Sequence, residues 1–251
     1  MFKLNKKVVR YLALVLAVAL GLALPAAAQT NEDESFENEL SYGINFNSNG
    51  GLIGGAFIRS AYYMNERMYQ FGGLEVVEVK HPKENRLYNL GAGDFFVAGK
   101  QNYLFVVRPH YGRELVLFRK AAESGVQVNA VGAIGPSLGL LVPYYIRYDY
   151  GGQGGTDIRT EQYDPDKHRN LDRIQGSASF LQGLGEANVN LGVHFKAGLS
   201  FEYGRYQESI TGIEVGFAVE AYPKKLVIIP QAQSSQVFSS VYLNLYYGSR
   251  K

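Results

Sequence analysis

The chain has 251 residues, with 29 Gly, 19 Tyr and 14 Phe but no Trp and no Cys, and its formal net charge is +2. The lack of cysteine excludes a disulfide scaffold, a thiol enzyme and a lipid-attachment cysteine. A charge so close to neutral supplies no basic field, so we expect no nucleic-acid partner. Glycine and aromatic residues at this level are typical of a turn-rich β protein.

Residues 1–28 have the organisation of a secretory signal peptide. The basic stretch "MFKLNKKVVR" precedes the apolar stretch "YLALVLAVALGLAL", and Pro25 and the small residues Ala26, Ala27 and Ala28 follow. As a helix the apolar stretch rises only about 21 Å, short of a hydrocarbon core of about 30 Å, which argues against a transmembrane anchor. We expect cleavage after Ala28 and a faintly acidic exported chain.

The rest of the chain predicts one β domain. Residues 29–38, "QTNEDESFEN", are acidic and predict a flexible N-terminal segment, and residues 39–251 predict the folded domain. Apolar and polar residues alternate from Leu40 to Phe46, and the turn signal "SNGG" follows. Further alternating segments cover residues 51–64 and 68–80.

The middle of the chain leaves the number of strands open. Residues 100–112 and 114–120 predict a hairpin, and a loop without periodicity precedes them at 81–99. Alternation over 126–148 fits either one long strand or two strands joined by a turn at "GPS". The long charged loop 149–187 ends with "SASFLQGLGE", which predicts a short helical turn.

The stretch "NVNLGVHFKAGLSFEYG" at 188–204 alternates without error, and 209–222 and 237–248 repeat the pattern. The apolar residues stand at every second position and therefore share one face of each strand, and this face is predicted to contact lipid. Its members are Val189, Leu191, Val193, Phe195, Leu199, Phe201, Ile213, Val215, Phe217 and Val219. Tyrosines near strand ends predict an aromatic girdle. They are Tyr42, Tyr62, Tyr148, Tyr203 and Tyr247.

The positions between the apolar residues, on the opposite face of each strand, are rich in Gly and Ser and carry single charges. Small residues with scattered ion partners suit the interior of a small barrel, and we expect a polar network inside it, with Arg147 as a further candidate. The predicted network consists of His194, Lys196, Glu202, Glu214 and Glu220.

These patterns predict an all-β fold, a single antiparallel transmembrane β-barrel of eight to ten strands. Strands of a soluble sandwich run about 5–6 residues, shorter than these segments. A strand can cross a bilayer only in a closed barrel, where every backbone group is paired. Splitting 126–148 to give ten strands is preferred, because it places the loops 81–99, 149–187 and 223–235 on one side.

Three stretches carry a resemblance to a known group of proteins. "VGAIGPSLGLLVPYYIRY", "VHFKAGLSFEYG" and "VYLNLYYG" resemble the small outer-membrane β-barrel proteins of Gram-negative bacteria. The resemblance implies a location in the outer membrane of the cell envelope, a porin-like barrel and an even number of strands. The chain departs from many such barrels by running on as "GSRK" after Tyr247 instead of ending on an aromatic residue.

No motif predicts a catalytic residue, a cofactor or a metal. Ser137 stands in "GPSLG", which matches the letters of a nucleophile elbow without the required strand–turn–helix context. His194 is expected to be an interior hydrogen-bonding partner, whereas His81, His110 and His168 are expected at the surface. Loop acids could offer oxygen ligands to Ca²⁺, but their spacing favours solvated charge. These acids are Asp157, Glu161, Asp164, Asp166 and Asp172.

The sequence therefore predicts a non-enzymatic barrel with a filled polar interior. Its partners would be the outer-membrane lipid and an envelope protein bound through loops 81–99 and 149–187. A narrow channel or secretion-associated component, a membrane-embedded lipid-modifying enzyme and an exported soluble β protein are the alternatives.

Overall fold

The part of the chain that the structure describes contains thirteen strands, which lie in the alternating segments and in parts of the long loops. The computed structural model describes residues 37–51, 53–119, 125–151, 157–203, 209–232 and 234–250, so the predicted signal peptide 1–28 and most of the segment 29–38 lie outside them. The strands are β1 (Asn38–Asn47), β2 (Gly55–Asn65), β3 (Met68–Val79), β4 (Arg86–Asn89), β5 (Asp94–Val97), β6 (Asn102–Phe118), β7 (Val126–Pro143), β8 (Tyr145–Asp149), β9 (Ile158–Gln162), β10 (Ile174–Ser177), β11 (Asn188–Tyr203), β12 (Ser209–Leu226) and β13 (Ser235–Arg250).

Eight of these strands form a closed antiparallel barrel. Their order around the barrel is β1-β13-β12-β11-β7-β6-β3-β2, and β1 pairs with both β2 and β13. Closure pairs the edges that an open sheet would leave free, so each strand finds two partners for its backbone groups. The predicted fold class, an all-β antiparallel barrel, is confirmed.

The structure corrects the preference for ten strands. The predicted hairpin at 100–112 and 114–120 is instead one continuous strand, β6, and the "GPS" stretch lies inside β7 rather than in a turn. The first alternating segment is a barrel strand, β1. Eight strands place both ends of the barrel chain at one rim and the long connections 80–101, 144–187 and 227–234 at the other rim.

The two longest connections fold into a substructure at this rim, which we call the head. A hairpin of β4 and β5 and a three-stranded sheet in the order β10-β8-β9 form it, together with 3₁₀ helices at Leu171–Arg173 and Phe180–Glu186. The second helix lies where the sequence predicts a helical turn. The head has its own apolar core, made of Phe96, Tyr144, Ile146, Tyr148, Tyr163 and Ile174.

A second apolar cluster lies inside the barrel, at the rim from which the head extends. Ile228 and Ile229, from the connection after β12, pack with inward side chains of β3, β6 and β12. The carbonyl oxygen of Ile228 accepts hydrogen bonds from the backbone amides of Gln101 and Asn102, at 2.9 and 3.3 Å. The connection after β12 therefore packs against the inner side of the barrel wall at that rim. Among the described residues, no helix has the length and apolar character needed to cross a membrane.

Candidate functional site

The outer wall of the barrel is apolar and exposed. All ten predicted lipid-facing residues lie on it, and Val189, Leu191 and Val193 are 59, 65 and 60% exposed. Val219 is the most covered of the ten. A wall of this kind is stable only in hydrocarbon, because water would hydrate a continuous apolar surface unfavourably. The wall and the closed ring of strands are those of a membrane-spanning β-barrel.

Four of the five predicted girdle tyrosines lie on this outer wall near the rim that holds the chain ends. They are Tyr42, Tyr62, Tyr203 and Tyr247. The rings of Tyr42 and Tyr247 meet edge to face, with centroids 6.1 Å apart. The prediction for Tyr148 is wrong, because Tyr148 lies in β8 and is buried in the core of the head. The alternation that predicts it continues past Pro143 into the head without a break in parity.

Charged side chains fill the interior of the barrel, and we call them the ionic network. It contains four cations and six carboxylates among the described residues, all of them buried except Arg250, which is partly buried. The cations are Arg59, Arg108, Lys196 and Arg250, and the carboxylates are Glu39, Glu75, Glu114, Glu202, Glu214 and Glu220.

Lys196 and Arg59 occupy the middle of the network. Lys196 Nζ lies 3.3 Å from a carboxylate oxygen of Glu75 and 3.3 Å from one of Glu214. Arg59 Nη1 lies 3.2 Å from Glu214 and 3.5 Å from Glu114. The Lys196 ammonium also stands 4.5 Å from the centroid of the Tyr242 ring. Each cation thus joins carboxylates from different strands across the lumen.

The outer parts of the network follow the same rule. Arg108 donates to Glu75 at 2.7 Å and also to Glu220. At the rim with the chain ends, Arg250 donates to Glu39 at 2.9 Å and also to Glu202. Buried charges need partners of this kind, since removing an ion from water costs several kcal/mol.

The structure brings only some of the predicted interior residues together. Lys196 and Glu214 contact each other, whereas Glu202 pairs with Arg250 and Glu220 pairs with Arg108. Arg250 and Arg108 are not among the predicted interior residues, and neither are Arg59, Glu39, Glu75 and Glu114. Each of these lies on the inward parity of its strand, which is the signal that would identify it. Arg147 is not in the lumen, because it lies in β8 and pairs with Asp94 at 2.5 Å.

Ser137 and His194 form a buried pair beside the network. Ser137 Oγ lies 3.1 Å from His194 Nδ1, and both side chains are buried. The second ring nitrogen, Nε2, is buried and has no partner among the described atoms. The His110 ring is 6.0 Å from that of His194, so the expectation that His110 lies at the surface is wrong.

His168 is also buried, contrary to the expectation, and it lies in the head. Its Nδ1 accepts a hydrogen bond from the backbone amide of Asp164 at 2.9 Å, and its Nε2 lies 3.2 Å from Glu161. Glu161 also accepts a hydrogen bond from the hydroxyl of Tyr150, which lowers the pKa of this carboxyl below its ordinary value of 4.5. This contact joins β9 to the end of β8.

The remaining loop acids stay separate. Asp157 pairs with Arg159 at 2.7 Å, and Asp166 reaches Arg169 only at 4.0 Å. Within the described ranges, no three acidic or histidine side chains converge as metal ligands do. The glycine-rich stretch from Gly152 to Gly155 lies outside the described residues.

Comparison with known proteins gives structural matches alone. No family model matches the chain, and no curated protein does. The attachment invasion locus protein Ail of Yersinia pestis is similar at 9% identity and a TM-score of 0.39, over 86% of this chain and 99% of that one. Neisserial surface protein A matches at 10% and 0.41, over 86% and 97%, and OprG from Pseudomonas aeruginosa at 10% and 0.36, over 86% and 96%.

Proposed function

We propose that this protein is a non-conducting, non-enzymatic outer-membrane barrel that carries the head as a partner-binding unit at the cell surface. The observation that supports this most directly is the ionic network. Its paired charges occupy the lumen, and an eight-stranded barrel is only wide enough for its own side chains. A filled lumen leaves the surface, rather than a pore, as the place of function.

The head supports the second half of the proposal. Its core of buried aromatic and aliphatic residues holds it in one shape, which a merely connecting loop does not need. The tip of the β4–β5 hairpin presents Leu90, 90% exposed, beside the ring pair of Tyr88 and Phe95. Exposed aromatic residues on a rigid support are typical of binding sites for proteins.

Planar-bilayer recording tests the closed lumen. The purified barrel is expected to insert without producing ion conductance. As a matched comparison, Lys196→Ala combined with Glu214→Ala removes a central ion pair and opens space in the lumen. Steady conductance by the unaltered protein would overturn the proposal and support the narrow channel.

Photo-crosslinking on intact cells tests the partner. A crosslinking residue at Leu90 should give a discrete protein adduct, and the same residue at Phe217, on the outer wall, should not. Equal adducts from both positions would contradict binding through the head.

A further inference from the structure

The 3₁₀ helix Phe180–Glu186 lies against the outside of the barrel wall. The ring of Phe180 is 5.6 Å, centroid to centroid, from that of Phe105, which points outward because its neighbours Leu104 and Val106 point into the inner cluster. Gly183 is buried on the end of β7, where an added Cβ would stand 2.4 Å from the carbonyl oxygen of Pro143. The Tyr145 hydroxyl donates to Glu186 at 2.9 Å. The helix is thus held at three points along its length.

These three contacts account for one side of the helix and leave another open. A 3₁₀ helix has three residues per turn, so Phe180, Gly183 and Glu186 share the side that faces the wall and the head. Leu181 and Leu184 share a different side and are 61 and 43% exposed. No charged residue occurs from 177 to 185. Two exposed leucines on a helix whose other side is fixed form a small apolar surface.

The height of the helix relates this surface to the membrane. Phe105 is the Cα partner of Leu140, and Leu140 is the Cα partner of Val189. Val189 is the first of the exposed apolar residues on the outer face of β11, and it comes only three residues after the helix ends. The helix therefore lies at the level where the exposed apolar residues of β11 begin.

We propose that Leu181 and Leu184 insert into the lipid at the membrane surface, so that the helix anchors the head to the bilayer next to β6 and β7. Short amphipathic segments at this depth bury apolar side chains at the boundary of headgroups and acyl chains. The anchor depends on the membrane location of the barrel and is independent of any protein that the head binds. Its effect is to fix the orientation of the head toward the membrane plane.

Single-cysteine labelling tests this inference, because the chain contains no native cysteine. The full-length protein with Leu184→Cys carries an environment-sensitive fluorophore and is reconstituted into phosphatidylcholine vesicles. A fraction of the lipids carries a nitroxide quencher close to the headgroup. Matched labels stand at Gln182, on another side of the same helix, at Leu90 on the hairpin tip and at Val193 on the wall.

We expect the lipid quencher to reduce the emission of the labels at residues 184 and 193 several-fold more than that of the labels at 182 and 90. Equal quenching at 184 and 90 would overturn the anchor. A blue-shifted label at 184 that the lipid does not quench would show a protein cover and would overturn it as well. An unquenched label at Val193 would instead contradict the membrane location, so the two failures are distinguishable.

Discussion

At the residue scale, the side of the strand on which a residue lies decides which environment its side chain meets. Val193 is 60% exposed, while the next residue, His194, is buried beside Ser137. The period of two makes this distribution readable from the sequence, because a slip of one residue would exchange every inward and outward side chain. The sequence alone does not give the pairing of the inward charges, since each pair joins strands that are remote along the chain.

Val193→Arg should prevent stable insertion of the barrel. A guanidinium on the lipid side costs about 2–4 kcal/mol near the bilayer midplane. Refolding into vesicles, followed as the folded fraction on a gel without heating, measures the effect, with Val193→Leu as the apolar control. Normal insertion of the arginine variant would mean that the two faces of β11 are assigned the wrong way round.

Lys196→Met should destabilise the folded barrel strongly. The substitution keeps most of the side-chain volume but leaves Glu75 and Glu214 with less positive charge, and breaking a buried pair costs about 3–5 kcal/mol. Urea unfolding in detergent measures the free energy of unfolding. Lys224→Met, at an exposed position near the rim of β12, serves as the control. The same small change in both variants would argue that the network contributes nothing to stability.

At the element scale, the alternating pattern identifies the strands but not where they end. Gly112 follows His110 and Tyr111 in a stretch that resembles a turn, and the sequence analysis divides β6 there. The strand continues through Gly112, which pairs with Phe71 of β3 and with Ala133 of β7. Glycine is needed there because an added Cβ would stand 2.3 Å from the Phe71 ring and 2.5 Å from the carbonyl oxygen of Gly132. Both reasons come from neighbouring strands and do not appear in the local sequence.

Gly112→Leu should therefore impair folding of the barrel. A side chain at this inward position collides with Phe71, whereas the same residue in a solvent-exposed turn would be accommodated. The folded fraction after refolding, measured by gel migration without heating, reports the effect. Gly132→Leu is the matched control, because an added Cβ there meets no atom within 4 Å. Equal folding of both variants would contradict a continuous β6.

Acidification should loosen β9 in the head. The pKa of Glu161 in the folded head lies below 4.5 because Tyr150 donates to its carboxylate. The ionised form thus stabilises the fold above the unfolded pKa, and this contribution is lost as the pH falls below 4.5 through the folded pKa. Hydrogen exchange of the β9 amides measures it. Glu161→Gln should show faster exchange already at neutral pH and a weaker change on acidification, and a pH response identical to that of the unaltered chain would contradict this role.

At the scale of the whole molecule, the sequence predicts the class of barrel better than its contents. Alternation over many segments predicts a membrane barrel, because only a closed barrel pairs the backbone N–H and C=O groups of every strand within lipid. The head combines parts of the predicted loops 81–99 and 149–187 with the end of the alternating segment 126–148, which carries Tyr144, Ile146 and Tyr148. Alternation does not show that these three residues leave the barrel. Their packing with Phe96 and Ile174, which lie far away along the chain, is a tertiary contact that the local sequence does not contain.

The intact protein is expected to partition into the outer-membrane fraction and to migrate faster on a gel before heating than after it. A closed barrel resists detergent at room temperature, so its compact form survives until it is boiled. A soluble periplasmic domain serves as the fractionation control. Recovery of the protein wholly in the periplasmic extract would contradict the membrane barrel.

Arg250 ties the closing seam of the ring to its contents. It lies on the final strand and contacts carboxylates of the first strand and of β11, so the pairing of β13 with β1 also brings a cation to Glu39. In an open ribbon the neighbouring strand β2 would offer Glu39 the more distant Arg59, at 3.8 Å. The charge contacts therefore favour the complete ring over a ribbon with the same strands left open.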